Sequence, residues 1–253
     1  MPTIAWILFF RDLSDRDDFI NKLRSITEKY EYHKQMVRIP DVDGIRNPPI
    51  SVPPLYIEVK SQALMQGGQE YLIVNFEAIN SVPIINGEWP VKEKYTVYLY
   101  PYNNQELNDV LLAISDKSEA LPKFEGVLKR LRVSSLPKVT ISFKNPHEFI
   151  EEIQRLGKLN WIVIRDLPDV RLKGSIMWGE ELEGSEVTKD LIKRGGVISA
   201  ITLKNVKKDM QILISGRGGV IYTPQDVNPA QFAGGEVKDI ILNLKKSNLL
   251  RRV

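Results

Sequence analysis

Short apolar runs rich in β-branched and aromatic residues recur along the whole chain, and they constrain the fold more than any other feature. Each run is too short for a buried helix and is bounded by glycine, proline or charged residues, as strands are. The runs are TIAWILFF from Thr3, EYLIVNFEAI from Glu70, KYTVYLYPY from Lys94, LNWIVIRDL from Leu159, VISAITLKNV from Val197 and DMQILISGRGGVIYTP from Asp209. We therefore expect a sheet-rich fold in which TIAWILFF, apolar throughout, is a central strand.

Other segments between these runs have apolar residues at helical spacing. The segment from Ser14 to Tyr30 has an N-cap candidate in Ser14, acidic residues in its first turn and apolar residues three or four positions apart. The same criteria predict helices over residues 104–118, 123–135, 145–158, 185–196 and 238–247.

The segment from Pro40 to Pro54 interrupts this pattern. Its prolines fix φ and remove backbone N–H donors. We expect a long ordered loop or an exposed linker here instead of a helix or strand.

The order of the predicted elements suggests two similar halves, because each half runs strand, helix, several strands, helix. The helix beginning at Asp18 resembles the one beginning at Glu148, and the same offset relates Asp109 to Asp239. A competing similarity, between the strands WILFFRDL and WIVIRDL, fits a different offset, and amphipathic helices resemble one another in any case. Internal duplication and chance similarity therefore both stand as interpretations.

The resulting fold prediction is an α+β protein with two lobes, residues 1–135 and 136–253. Each lobe is expected to have a mostly antiparallel sheet with helices on one face. A cleft between two such lobes would suit an elongated partner.

Composition limits both the compartment and the chemistry. The 253 residues include no cysteine, which excludes disulfides, cysteine-bound zinc and thiol nucleophiles. This fits an intracellular protein, and abundant Ile and Lys give a thermophile-like composition. The N-terminal apolar run is too short for a signal peptide or a membrane span. We predict a cytoplasmic protein that does not associate with membranes. The net charge of +3 permits an anionic partner without requiring one.

Two Arg-Gly-Gly triplets place cations beside backbone amides that glycine leaves accessible. Arg194 follows Lys193 at the predicted end of a helix, and Arg217 precedes a turn between two strands. Such amides, together with an arginine fork, bind phosphate. A phosphate loop of the known kinds leads from a strand into a helix, so a helix C-cap and a hairpin turn are the simpler interpretations. With Lys207 and Lys208, these cations are our candidate phosphate contacts.

Tyr95, Tyr98, Tyr100 and Tyr102 lie on one predicted strand, so we expect a row of rings on one of its faces. Rings on an open sheet beside cations stack on the bases of single-stranded nucleic acid. Tyr98 and Tyr100 are the candidate stacking residues. Alternate tyrosines are also common on half-buried strands, where they only pack.

One group of residues is a candidate for catalysis. His33, with Tyr30 and Lys34, provides the residue types for metal-free general acid–base cleavage of RNA. Lone histidines are more often surface or capping residues, and His147 fits that description in the first turn of a predicted helix. The carboxylates between Asp12 and Asp18 are explained by a helix N-terminus. We predict no metal site and no cofactor.

The sequence favours a non-enzymatic intracellular binding protein whose ligand is RNA or single-stranded DNA. One alternative is a protein–protein adaptor or assembly subunit, with the tyrosine strand and the Pro40–Pro54 loop as its interface. Another is a metal-independent ribonuclease. The expected partners are therefore nucleic acid or another protein.

Overall fold

A single antiparallel sheet of eleven strands dominates the fold. The computed structural model describes residues 2–26, 30–37, 50–63, 70–84, 87–142, 157–168, 172–180, 182–205 and 210–252. The strands are β1 (Thr3–Phe9), β2 (Tyr30–Val37), β3 (Ile50–Ala63), β4 (Glu70–Ile84), β5 (Gly87–Pro101), β6 (Val110–Ser115), β7 (Val139–Ile141), β8 (Lys158–Arg165), β9 (Gly174–Trp178), β10 (Val197–Asn205), β11 (Met210–Ser215), β12 (Val220–Thr223) and β13 (Leu250–Arg252).

The helices in the described residues are shorter than the longest strands. They are α1 (Leu13–Arg24), α2 (Ala120–Arg130), α3 (Glu186–Lys193), α4 (Pro229–Gly234) and α5 (Glu236–Lys246), with a 3₁₀ turn at Leu182–Gly184. None of these helices is long and apolar enough to cross a membrane. The predicted α+β class and the mostly antiparallel sheet are confirmed.

Strand β1 lies in the interior of the sheet, as predicted. The strand order is β2-β3-β4-β5-β6-β1-β12-β11-β10-β8-β9, and β7 and β13 form a separate two-stranded ribbon. On one side Ile7 pairs with Leu112 of β6, and on the other side Trp6 pairs with Val220 of β12. The sheet is thus continuous through strands from both sides of residue 135.

Helices cover opposite faces of this sheet. Ile4, Trp6 and Leu8 belong to a core cluster that includes residues of α1 and α2, whereas Ala5 and Ile7 belong to a second cluster that includes residues of α4 and α5. Because successive side chains of a strand point to opposite faces, the two clusters lie on either side of the sheet. Strands β1 and β6 contribute to both clusters and are almost completely buried.

The helix predicted over residues 104–118 is wrong, because Val110–Ser115 is strand β6. All six residues are buried, so the segment has no polar face and shows neither a helical nor an alternating pattern. The segment 238–247, which resembles it in sequence, is helical as predicted and belongs to α5. The two segments that suggested a duplication therefore have different conformations.

The Pro40–Pro54 segment is also not entirely irregular, because β3 begins at Ile50. Val52 pairs with Gln35 and Leu55 with His33, and the register shifts between these two pairs. Pro53 and Pro54 lie between them, in the irregularity, where strands tolerate a missing N–H donor. Residues 40–49 lie outside the described residues, as does most of the helix predicted over 145–158, including His147.

Most of the remaining helix predictions are confirmed with small shifts. Helix α1 is capped by Asp12, whose side chain accepts a 2.9 Å hydrogen bond from the Asp15 N–H, and not by Ser14. Helix α3 begins after Ser185, whose Oγ accepts a 3.5 Å hydrogen bond from the Thr188 N–H. Helix α2 begins at Ala120, ahead of the predicted start.

Candidate nucleic-acid interface

Two exposed arginines flank Thr140 where the β7–β13 ribbon meets the main sheet. Thr140 pairs with Arg251 of β13 and, on its other side, forms a β-bridge with Arg217. Directly opposed residues of neighbouring strands point to the same face. We call Arg217, Thr140 and Arg251 the cationic row. Both arginines are exposed, and within the described residues neither forms an ion pair with an acidic side chain.

The backbone before Arg217 is held on both sides. The Gly216 N–H donates to Ser199 O at 2.9 Å, and Gly216 O accepts from the Ile141 N–H at 2.9 Å. Gly218 and Gly219, which follow Arg217, have φ of 71° and 58°. These values lie in the left-handed region that is typical of the centre of a tight hairpin turn. The interpretation of this glycine pair as a hairpin turn between β11 and β12 is confirmed. Arg217 therefore projects from a fixed backbone.

Lys193 and Arg194 lie at the same end of the sheet as Arg217. They end helix α3, and Gly195, with φ of 92°, closes it, which confirms the predicted C-cap. The chain then enters β10 at Val197, and the last residue of β11, Ser215, pairs with Ala200 near the start of β10. The side chain of Arg194 forms a 2.8 Å ion pair with Asp190, which offsets part of its charge.

Lys207 and Lys208 lie outside the described residues. The nearest described residues on either side, Asn205 and Met210, pair with each other at the opposite end of β10 and β11 from Arg217. The described structure thus groups Arg217 with Lys193 and Arg194, and adds Arg251.

The tyrosines of β5 do not form one row. Tyr98 and Tyr100 share a face, but Tyr95 points to the other, where its ring stacks on Phe76 at a centroid distance of 5.4 Å. Tyr100 is only 3% exposed and stacks on Tyr71 at 4.7 Å, and burial raises the pKa of its hydroxyl. Tyr98 is half-buried and is the more accessible of the two candidates.

Tyr98 is well separated from the cationic row. Strands β6, β1 and β12 lie between β5 and β11. Four strand spacings of about 4.8 Å place Tyr98 and the cationic row about 19 Å apart across the sheet. A single ligand that contacts both would have to extend over several nucleotides.

The candidate catalytic group lies on β2, which forms one edge of the main sheet, far from the cationic row. Tyr30, His33 and Lys34 belong to β2, and the pairing of β2 with β3 shifts register on both sides of His33. The side chains of β2 lie outside the described set, so a catalytic role for this group stays a prediction.

A half-buried polar network elsewhere combines a carboxylate, a tyrosine hydroxyl, an amide and a lysine. The Glu93 carboxylate accepts hydrogen bonds from Lys117, Asn80 and the Tyr95 hydroxyl, the last at 3.0 Å. The Lys117 contact lowers the pKa of Glu93, whereas burial raises the pKa of Tyr95 to about 12. We interpret the network as a structural link, because its hydrogen bonds connect Asn80 of β4 and Glu93 of β5 with Lys117 in the loop before α2.

No group of three or more His, Asp or Glu side chains in the described part of the chain is placed to hold a metal ion. Comparisons with protein families, with curated proteins and with solved structures found no match to this chain. Function is therefore inferred from the geometry alone.

Sequence reasoning missed the role of Thr140 and Arg251 in the cationic row. Arg251 belongs to a locally basic C-terminal stretch, but its position depends on pairing with β7, more than a hundred residues earlier. No local pattern encodes a pairing between segments so distant along the chain.

Proposed function

We propose that this protein is a non-enzymatic intracellular binding protein whose ligand is RNA or single-stranded DNA. The cationic row is the observation that carries the proposal. It presents two guanidinium groups on one face, on either side of a threonine hydroxyl, from a backbone that hydrogen bonds hold in place.

The chemistry of the row suits phosphate. Guanidinium forks bind phosphate oxygens through two parallel hydrogen bonds, and threonine hydroxyls also contact nucleic-acid phosphates. Lys193 and Arg194 at the same end of the sheet extend the positive surface, although Asp190 neutralises part of it. We assign the main phosphate contacts to Arg217 and Arg251, because no acidic partner among the described residues competes for them.

Stacking contributes less to this proposal than charge. Tyr98 is available to a base only in part, and Tyr100 only after a rearrangement of the core, since its ring packs against Tyr71. We therefore expect binding with little preference among base sequences and a strong dependence on salt.

The test is fluorescence anisotropy with labelled single-stranded RNA, single-stranded DNA and duplex DNA at low and moderate salt. The double variant Arg217→Glu/Arg251→Glu is compared with Arg11→Glu/Lys60→Glu, which changes the net charge equally at exposed sites just before α1 and on β3. We expect the first variant to bind single strands at least about 10-fold more weakly, because each charged hydrogen bond contributes about 1.5–3 kcal/mol. Its salt dependence should fall by about 0.7 in logarithmic slope for each phosphate that the variant no longer neutralises.

Equal weakening by the two double variants would show that only net charge matters and would refute the assignment to the cationic row. Binding curves that stay flat with all three ligands would refute the proposed function itself.

The alternatives stay as predictions with their own tests. An adaptor or assembly subunit should show a salt-tolerant mass increase with a protein partner. A metal-independent ribonuclease should cut RNA in the presence of a chelator, and His33→Ala should abolish cutting.

The division into two lobes near residue 135 also stays a prediction, as does the duplication. Limited proteolysis tests the division: cleavage confined to the loop after α2, yielding two fragments that separate without denaturant, would support it. Fragments that remain associated would instead indicate that the pairing of β1 with β12 holds the two halves together.

A further inference from the structure

Strand β9 forms one edge of the main sheet, next to β8. The Gly179 N–H donates to Asn160 O at 3.0 Å, so the backbone groups of Ser175 and Met177 also face β8. Those of Gly174, Ile176 and Trp178 then face outward, and no backbone group among the described residues pairs with them.

The described residues of β9 carry no charge, proline or bulge that would block further pairing at this edge. Natural sheets block exposed edges with charged residues, prolines or bulges. The β9 sequence, Gly-Ser-Ile-Met-Trp, contains no charge and no proline, and its pairing with β8 is regular.

Among the described residues, core packing covers one face of β9. The Met177 side chain packs against the core, with its Sδ 3.8 Å from Thr188 Oγ1 of α3. On the other face Ile176 is 56% exposed and Trp178 is 78% exposed, the highest value among the exposed large apolar residues of the described chain. An apolar face beside an unpaired backbone edge favours the addition of another strand.

The edge is complementary to itself. In an antiparallel pair of β9 strands centred on Ile176, Trp178 of each copy lies opposite Gly174 of the partner. Gly174 has no side chain to compete with the ring, and its neighbour on β8, Arg165, is exposed. An indole ring over this glycine covers the exposed edge backbone and lies within reach of the guanidinium, a favourable pairing.

The charges that flank β9 agree with this arrangement. Lys173 precedes the strand, Glu180 follows it, and both are exposed. Antiparallel pairing brings Lys173 of one copy towards Glu180 of the other, twice by symmetry, whereas parallel pairing would bring like charges together.

We propose that two copies of this chain associate through antiparallel pairing of β9, with Ile176 at the twofold axis and Trp178 of each copy against Gly174 and Arg165 of the other. The Ile176 pair then exchanges two backbone hydrogen bonds, with a Cα–Cα distance of about 5.5 Å.

The absence of native cysteine provides a direct test. Ile176→Cys introduces a single thiol at the twofold axis, where the expected Cα distance lies in the range that a disulfide spans. Mild oxidation should convert Ile176→Cys to a covalent dimer on a non-reducing gel. Val187→Cys is the control, because Val187 is 61% exposed on α3, and it should remain mostly monomeric.

Sedimentation analysis of the unmodified chain completes the test. We expect a concentration-dependent dimer whose dissociation constant rises at least tenfold in Trp178→Ala. Because Trp178 is exposed, this variant should still fold, and circular dichroism checks that it does. The proposal is wrong if the two cysteine variants cross-link equally, or if Trp178→Ala and the unmodified chain sediment alike. Arg217→Glu/Arg251→Glu should dimerise normally, so this test is independent of nucleic-acid binding.

Discussion

Strands β1 and β9 belong to the same sheet and are both rich in apolar residues, yet their surroundings differ completely. In β1 the first six residues are buried, because helices and neighbouring strands cover both faces and both edges. In β9 two of five residues, Ile176 and Trp178, are mostly exposed, because one face and one edge have no cover among the described residues. The comparison teaches that an apolar run becomes core or contact surface according to its place in the strand order. The composition of the run alone does not determine whether it is buried or exposed.

The largest effect that tests this comparison should come from the centre of the sheet. Leu112 of β6 is fully buried and pairs with Ile7 of β1. Leu112→Ala should lower the free energy of unfolding by about 2–5 kcal/mol, because it removes buried methyl groups and leaves a cavity. Val187→Ala, at an exposed position of α3, should change the free energy of unfolding by less than about 0.5 kcal/mol. Urea unfolding measures both, and similar losses would contradict the contrast between centre and edge.

Substitutions at two glycines should change stability by an intermediate amount, and they sharpen the comparison. A Cβ at Gly196 would lie 2.5 Å from Ile164 Cγ2 and 2.8 Å from Leu191 O. Gly196→Ala should therefore lower the free energy of unfolding by about 1–3 kcal/mol through overpacking. Gly126 is exposed within α2, and beyond the neighbouring helix backbone nothing lies within 4 Å of such a Cβ. Gly126→Ala should therefore raise stability by about 0.5–1 kcal/mol. Thermal unfolding should show melting temperatures that shift in opposite directions, and a shift of the same sign in both would refute this account.

The smallest expected effect concerns the Glu93 network. The pKa of Glu93 is lowered in the folded chain, mainly by the Lys117 hydrogen bond. Its contribution to stability is therefore present above the ordinary carboxyl pKa of about 4.3 and is lost as pH falls through the lower folded value. Glu93→Gln should destabilise the protein at neutral pH and differ less from the unmodified protein at about pH 3.

Glu186→Gln is the matched control for Glu93→Gln. The pKa of Glu186 is also lowered by a lysine hydrogen bond, but that ion pair with Lys189 is exposed. Exposed pairs contribute little, so this variant should change stability only slightly at either pH. Urea unfolding at the two pH values is the measurement, and identical behaviour of the two variants would show that the Glu93 network adds no stability.

Much of the secondary structure follows from local sequence. The alternating runs of β4 and β5, the hairpin at Gly218–Gly219 and the amphipathic helices α1 and α5 all have patterns of the expected period. Strand β6 has no such pattern, since burial on both faces removes the polar positions that distinguish a strand from a helix. The β4–β5 hairpin also extends beyond its predicted apolar runs, through Val82, Trp89 and their neighbours, because pairing between the strands continues there.

The candidate site was less predictable than the elements that carry it. Arg217, Lys193 and Arg194 were identified from the adjacent glycines, and the described structure places all three at one end of the sheet. Arg251 reaches the same region only through its pairing with Thr140. The burial of Tyr100 likewise depends on packing against Tyr71 of a neighbouring strand. Contacts of this kind depend on strand order, which local periodicity does not specify.

The position of β1 also has a consequence for the order in which the protein is made. Thr3 pairs with Thr223, so one edge of the first strand remains without its partner until most of the chain has been synthesised. At about 5 to 20 residues per second, roughly 10 to 45 s separate the two segments on the ribosome. During that interval α1 can pack on one face of β1, and β6 can pair with its other edge. Strand β1 is thus made long before its partner β12, and during that interval its unpaired edge exposes the nascent chain to aggregation.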